Sequence, residues 1–166
     1  MSQLTSNVQK ATAHLEDTRA LVDVWDSTLT TDQNVARILD GNLLGLPTRS
    51  RSNDVIVRAL RPRFIEPGDG VIDALRVLSK HGDAFRDACY YEITRDDELV
   101  ATFAEEQLKT WWDEGRLSVD SGDARGWIDK LAADHRIPQW SQNIRDRVAA
   151  TGEHQHRRHP ADRQIP

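Results

Sequence analysis

The sequence predicts an all-α fold, a compact protein built from several packed helices. Apolar residues recur three and four positions apart in almost every segment as far as Val148, and this is the spacing of one face of an α-helix. Alternating runs of β-branched and aromatic residues, which are typical of strands, are almost absent. Both observations favour helices that pack on one another and leave no segment for a sheet.

Three helices are predicted before Pro62. The third has Ser50 or Ser52 as its N-cap, because serine side chains accept hydrogen bonds from the first helical amides. It is expected to end or kink at Arg61, since the residue before a proline is disfavoured in helical geometry. The apolar stripes of the three helices are Leu15, Leu21, Val22, Trp25 and Leu29; Val35, Ile38 and Leu39; and Val55, Ile56, Ala59 and Leu60.

Apolar residues at helical spacing continue after a helix-breaking segment at residues 66–70, whose sequence is Glu-Pro-Gly-Asp-Gly. This breaker predicts a boundary between an N-terminal helical subdomain with the arginine-rich helix, residues 1–66, and a C-terminal helical subdomain, residues 67–150. The second subdomain is expected to contain a long helix over residues 96–114, a helix over residues 123–133, and a last helix that starts near Pro138. Residues 151–166 offer few apolar side chains and predict a disordered polar tail.

The charge and the cysteine content limit the kinds of function and the cellular compartments that the sequence allows. The 166 residues carry a formal net charge of −5, so nucleic-acid binding requires a local basic patch instead of the field of the whole chain. Cys89 is the single cysteine, which excludes an intramolecular disulfide and suits a reducing compartment. No N-terminal run is of signal-peptide type, and no stretch approaches membrane-spanning length. We therefore expect a cytoplasmic protein with no membrane partner.

The strongest local signal is the segment of residues 49–63, which contains five arginines and a single acid, Asp54. Guanidinium groups match phosphate oxygens, and serine hydroxyls and helix-start amides can add neutral donors. An equally favoured interpretation is a solvated helix face, in which Asp54 and Arg58 pair at i,i+4. Arg61 and Arg63 flank Pro62, so structural packing is an alternative for these two. The candidate nucleic-acid contacts are Arg49, Ser50, Arg51, Ser52, Arg58, Arg61 and Arg63.

The other chemistry-bearing residues favour structural roles. Cys89 lies on an apolar helix face with no histidine nearby, which argues against a nucleophile. Trp111 and Trp112 could stack on bases, but their long apolar helix favours one in the core and the other at its edge. Residues 154–159 are rich in histidine and arginine but have no partner ligand on a helix, which favours disorder over a metal site. We expect no enzyme, cofactor, metal or small-molecule substrate.

Several short motifs along residues 21–150 together match the sequence pattern of one protein family. They are Val24-Trp25-Asp26, Asp40-Gly41-Asn42-Leu43-Leu44, the segment 47–53, Val57-Arg58, Arg61-Pro62-Arg63-Phe64 and, more loosely, Phe103-Ala104-Glu105-Glu106 with Trp112. Together they resemble the BrxA-like family of the bacteriophage exclusion (BREX) systems. The resemblance implies a compact all-helical protein, related in shape to the NusB-type helical RNA-binding fold, that binds DNA in host defence against phage.

Two functions follow from the arginine segment and this resemblance. The first is a non-enzymatic DNA-binding accessory protein of a BREX-type defence system, with DNA held mainly through its phosphates. The alternative is a protein–protein adaptor in the same defence complex, whose acidic faces and tryptophans dock other BREX proteins without direct contact to nucleic acid.

Overall fold

The structure is a computed structural model and describes residues 3, 4, 6, 14–116 and 118–153. Every regular element in these ranges is helical, which confirms the predicted all-α fold. Among the described helices, none combines the length and the apolar character needed to cross a membrane. In chain order the elements are α1 (Leu15–Val24), α2 (Thr31–Asp40), α3 (Arg49–Val55), the π-helical segment π1 (Ile56–Ile65), α4 (Asp69–Leu78), α5 (Gly82–Asp96), α6 (Glu98–Thr102), the π-helical segment π2 (Phe103–Leu108), α7 (Lys109–Asp113), α8 (Ser121–Ala133) and α9 (Gln142–Glu153).

The chain divides into two compact units, one of Lys10–Asp96 and the other of Met1–Gln9 with Asp97–Pro166. The boundary expected at residues 66–70 is therefore misplaced. This segment contains a tight turn over residues 66–68 followed by the first two residues of α4; in the turn, the Gly68 amide donates to the Ile65 carbonyl at 3.0 Å and Gly68 has a φ of 109°. Phe64 before the turn and Ile72 after it belong to the same buried core, because this turn reverses the chain without separating the apolar faces on either side.

Helix α1 packs into the core of the Lys10–Asp96 unit, with Leu21 and Val22 fully buried. Its last turn has no basic residue, so its terminal carbonyls need donors from other elements. Arg76 of α4 donates from Nε to the Val22 carbonyl at 2.9 Å and from Nη2 to the Trp25 carbonyl at 2.6 Å. Arg37 of α2 donates to the Val24 carbonyl. Two arginines from neighbouring helices thus terminate α1 and fix it against α2 and α4.

The helix that starts at α3 does not end at Arg61, as Pro62 led us to expect. It continues through Pro62 to Ile65 as π1, and the amide of Glu66 donates to the carbonyl of Arg61, five residues earlier, at 2.8 Å. A proline ring in an α-helix clashes with the carbonyl four residues before it. The wider π-helical turn changes that spacing, so the chain can stay helical and keep Phe64 in the core.

In the other unit, α6, π2 and α7 run without a break over residues 98–113, close to the long helix expected there. Asp97 caps α6, since its Oδ1 accepts from the Val100 amide at 3.1 Å, and its Oδ2 accepts from the Ser6 hydroxyl at 2.9 Å. Phe103 and Trp127 pack with ring centroids 4.9 Å apart. The last helix begins at Gln142 instead of near Pro138, because Pro138 is followed by a turn in which the Trp140 amide donates to its carbonyl at 2.7 Å.

Candidate nucleic-acid interface

The arginine-rich helix begins two residues earlier than a Ser50 cap predicts and four residues earlier than a Ser52 cap predicts. Thr48 is the N-cap of α3, and its hydroxyl oxygen accepts from the Arg51 amide at 3.1 Å. The preceding loop is held by Asn42, which has a φ of 47° and donates from its side-chain amide to the Leu46 carbonyl at 3.1 Å. This cap places Arg49, Ser50 and Arg51 in the exposed first turn of the helix.

One side of α3 and π1 is buried in the core of the Lys10–Asp96 unit. The predicted apolar positions on this side are confirmed: all four are buried, with at most 2% of their surface exposed. Since this side faces the core, the opposite side of the same helix faces solvent. The four predicted positions are Val55, Ile56, Ala59 and Leu60.

At the start of the helix, Arg49, Ser50 and Arg51 are all exposed. The Arg49 guanidinium lies with Nη1 2.6 Å from Oδ1 of Asp40, and both side chains are about two-thirds exposed, at 65% and 67%. Arg51 forms no ion pair with any residue that the structure describes. Its charge is therefore available at the surface without the removal of a competing carboxylate.

Further along the helix, two more arginines reach solvent but are paired; Arg58 is exposed and Arg61 is half-buried. Arg58 Nε lies 3.5 Å from Oδ1 of Asp54, which is the i,i+4 pair that the alternative interpretation predicts. Arg61 Nε lies 3.3 Å from Oε1 of Glu66. Exposed pairs of this kind contribute only about 0–1 kcal/mol, so an incoming anion can replace the carboxylate at little cost.

Two of the predicted contact residues are buried, and the structure corrects the expectation for both. Ser52 is 1% exposed, and its hydroxyl donates to the Thr48 carbonyl at 3.3 Å and to Oδ1 of Asn42 at 3.4 Å. Arg63 is also 1% exposed, and its Nε lies 3.4 Å from Oδ2 of Asp96. Neither side chain can reach a phosphate outside the protein, so both act in the structure of the helix.

Helical spacing in the sequence is compatible with the burial of Ser52 and Arg63. Ser52 precedes Val55 by three residues and Ile56 by four, while Arg63 follows Ala59 by four and Leu60 by three. Residues three and four apart share a helix face, so both polar residues lie on the apolar stripe. Helical spacing therefore allows burial of Ser52 and Arg63 but does not separate them from the exposed arginines, because Arg51 and Arg58 also lie four and three residues from Val55.

The other chemistry-bearing residues hold structural positions where the structure describes them. Cys89 is fully buried, and desolvation raises the pKa of its thiol from 9.0 to about 12, so the thiol is protonated at neutral pH. Trp111 packs edge-on against Phe103 at 6.0 Å between centroids, whereas Trp112 is 62% exposed; this agrees with the predicted division between core and edge. Residues 154–159 lie outside the described residues. Within the described ranges, no group of three or more histidine, cysteine or carboxylate side chains is placed to hold a metal ion.

The comparisons with known proteins place the chain in a family. The sequence model of the BrxA family matches residues 3–151, which is most of the 166-residue chain. The chain belongs to the BrxA family. BrxA membership indicates a protein of a BREX phage-defence system and confirms the resemblance seen in the short motifs. The BrxA match starts at residue 3, before the first of those motifs. It ends at residue 151, one residue after Ala150, where the resemblance was expected to end. No curated protein and no solved structure matches the chain.

Proposed function

We propose that this BrxA-family chain is a non-enzymatic DNA-binding accessory protein of its BREX defence system. The observation that carries the proposal is the exposed side of α3 and π1, on which four arginines lie while the opposite side is anchored in the core. We call these four residues the arginine surface: Arg49, Arg51, Arg58 and Arg61.

The chemistry of this surface suits phosphate oxygens better than base edges. A guanidinium group offers several donors in a planar fork, and it can bind two oxygens of one phosphate. Arg51 offers its full charge, and the carboxylates paired with Arg49, Arg58 and Arg61 are exposed enough to be displaced. Ser50, in the first turn of α3, adds a neutral hydroxyl. Contacts of this kind position DNA and carry little sequence information.

A binding titration with duplex DNA at several salt concentrations tests this function. We expect Arg51→Ala combined with Arg58→Ala to weaken binding roughly tenfold or more, and to reduce the slope of log affinity against log salt by about 2, since about one counterion is released per phosphate contact. Arg86→Ala is the matched control, because Arg86 is a partly exposed arginine of α5 in an i,i+3 pair with Asp83. Equal affinity of the double variant and the control would contradict the assignment to this surface.

A protein–protein adaptor is the second candidate, and the exposure of Trp112 favours it. Trp112 leaves 62% of its surface in solvent, and tryptophan is enriched at the energetic centres of protein interfaces. An adaptor without contact to nucleic acid would show no duplex affinity even at low ionic strength, while binding another BREX protein. Measured duplex affinity in the same titration therefore separates the two candidates.

A further inference from the structure

Among the described residues, three solvent-accessible carboxylates lie against the arginine surface. Each is within ion-pair distance of a different arginine: Asp40 Oδ1 lies 2.6 Å from Arg49 Nη1, Asp54 Oδ1 lies 3.5 Å from Arg58 Nε, and Glu66 Oε1 lies 3.3 Å from Arg61 Nε. Half or more of each carboxyl side chain is in solvent, so these pairs can exchange with ions from outside. We call these three residues the paired acids: Asp40, Asp54 and Glu66.

The paired acids come from different parts of the Lys10–Asp96 unit. Asp54 lies in α3 itself, four residues before its partner. Asp40 is the last residue of α2, nine residues before Arg49 in the chain, and Glu66 follows the end of π1. Helical i,i+4 spacing accounts for the pair of Asp54, whereas the path of the chain outside the helix brings Asp40 and Glu66 to it. The arginine surface is thus partly neutralised from three separate segments.

Each paired acid occupies guanidinium donors that a phosphate needs. A carboxylate accepts from a guanidinium fork much as a phosphate does. It is also held on the same chain, so its effective concentration beside the arginine is far above that of a dilute anion in solution. A single free phosphate therefore competes poorly. A nucleic acid has many phosphates in a row, and once one is bound, the next reach neighbouring arginines at a similarly high effective concentration.

Arg51 gives such a row of phosphates a place to start. It is exposed and forms no ion pair with any residue in the described ranges, so a first phosphate can bind there without displacing a paired acid. Asp54 lies three residues after Arg51 within α3, and the two are therefore neighbours on the helix surface. A phosphate on Arg51 repels the Asp54 carboxylate, and this weakens its pair with Arg58 and favours the next contact.

We propose that the paired acids are built-in competitors of phosphate, so that the arginine surface binds a continuous row of phosphates and binds isolated phosphates poorly. The competition concerns the arginines with which we propose the chain binds DNA, and it rests on that function. Its consequence is that removal of a paired acid strengthens duplex binding by more than the change in net charge does.

A duplex titration of Asp40→Asn at low ionic strength tests the competition. Asp83→Asn is the matched control, because it also takes one exposed carboxylate away from an arginine, Arg86 of α5, and changes the net charge equally. We expect Asp40→Asn to raise duplex affinity about twofold to fivefold, and Asp83→Asn to raise it less. Equal affinities of the two variants overturn the competition and leave DNA binding intact. If neither the wild-type chain nor Asp40→Asn binds duplex, the proposed function itself is contradicted.

The same substitution in an Arg49→Ala chain shows whether the effect passes through the ion pair. Asp40 then has no Arg49 guanidinium to occupy, so we expect the gain from Asp40→Asn to fall to that of Asp83→Asn in the same Arg49→Ala chain. A gain as large as in the wild-type background overturns the competition, because the acid then acts by repelling DNA and not by occupying an arginine. Circular dichroism of each variant checks that the helical fold is retained.

Inorganic phosphate tests the preference for a row of phosphates. The duplex titrations of the wild-type chain and of the chain with Asp40→Asn, Asp54→Asn and Glu66→Gln are repeated with phosphate replacing chloride at constant ionic strength. We expect phosphate to raise the apparent Kd of the triple variant by a larger factor than that of the wild-type chain, since its arginines are open to single anions. An equal or smaller factor overturns this preference.

Discussion

Arg63 and Asp96 form an ion pair that joins π1 to the end of α5. Arg63 Nε lies 3.4 Å from Oδ2 of Asp96, and the two side chains are 1% and 17% exposed. A second bond supports the same junction, because Arg95 donates from Nη2 to the Arg63 carbonyl at 3.4 Å. The arginine that the sequence offers as a DNA contact therefore stabilises the helix that presents the exposed arginines.

Removal of the Asp96 carboxylate should be strongly destabilising. Asp96→Ala removes one counterion of the buried guanidinium of Arg63, and a buried group that loses a hydrogen-bond partner costs about 1–3 kcal/mol, more when it is charged. Urea denaturation followed by circular dichroism measures the loss. Asp54→Ala is the control, since it removes an exposed pair with Arg58 and should change the free energy of unfolding by only about 0–1 kcal/mol. Similar losses in the two variants would contradict the role assigned to Arg63.

Ser52 and Arg51 are neighbours in sequence but should affect different properties. Ser52→Ala removes a hydroxyl whose one proton can be donated to the Thr48 carbonyl or to Oδ1 of Asn42, and it should lower the free energy of unfolding by about 1 kcal/mol while leaving duplex affinity intact. Arg51→Ala should have the opposite profile, because Arg51 is exposed and forms no ion pair with the described residues, so it contributes little to folding, while we propose that it binds phosphate. Urea denaturation and a duplex titration of both variants check this. A Ser52→Ala chain with reduced affinity and unchanged stability would reverse the assignment.

Thr48 should contribute to stability through its hydroxyl. Thr48→Ala removes the acceptor of the Arg51 amide, and loss of an N-cap of this kind costs about 1 kcal/mol. Thr48→Ser retains a hydroxyl at the same position and serves as the control. Thermal unfolding of the two variants gives the comparison. If both variants melt with the wild-type chain, Thr48 does not cap the helix in solution.

Cys89 should make stability depend on alkaline pH. Burial raises the pKa of the folded thiol from 9.0 to about 12, so above pH 9 the unfolded chain releases this proton and the folded chain keeps it. The free energy of unfolding then falls as pH rises, by up to about 1.4 kcal/mol per pH unit from this group. Cys89→Ala lacks this contribution. Urea denaturation of both chains at several pH values above 9 measures the difference.

The control for this experiment is internal. Burial also raises the pKa of Tyr90 to about 12, and its effect is present in both chains, so it cancels in the difference between them. A constant difference between wild type and Cys89→Ala from neutral pH to about pH 11 would show that the thiol ionises as readily in the folded chain as in the unfolded one.

Local spacing explains which structural features could be predicted. The burial of Val55, Ile56, Ala59 and Leu60 follows from positions three and four apart, because a helix places such residues on one face whatever lies opposite. The same spacing includes Ser52 and Arg63, but residue type suggested a surface position for both. Arginine is buried only when a partner offsets its charge, and the sequence pattern does not identify that partner.

The sequence by itself determined the all-α fold, the apolar side of the arginine-rich helix and the family. Each of these depends on local periodicity or on short motifs. Only the tertiary structure decided that Arg63 is buried and that Arg51 is exposed and forms no ion pair with the described residues, because Asp96, which pairs with Arg63, is 33 residues away in the chain. The tertiary structure also placed residues on both sides of the turn at 66–70 in one core, since packing, and not the turn itself, determines where a compact unit ends.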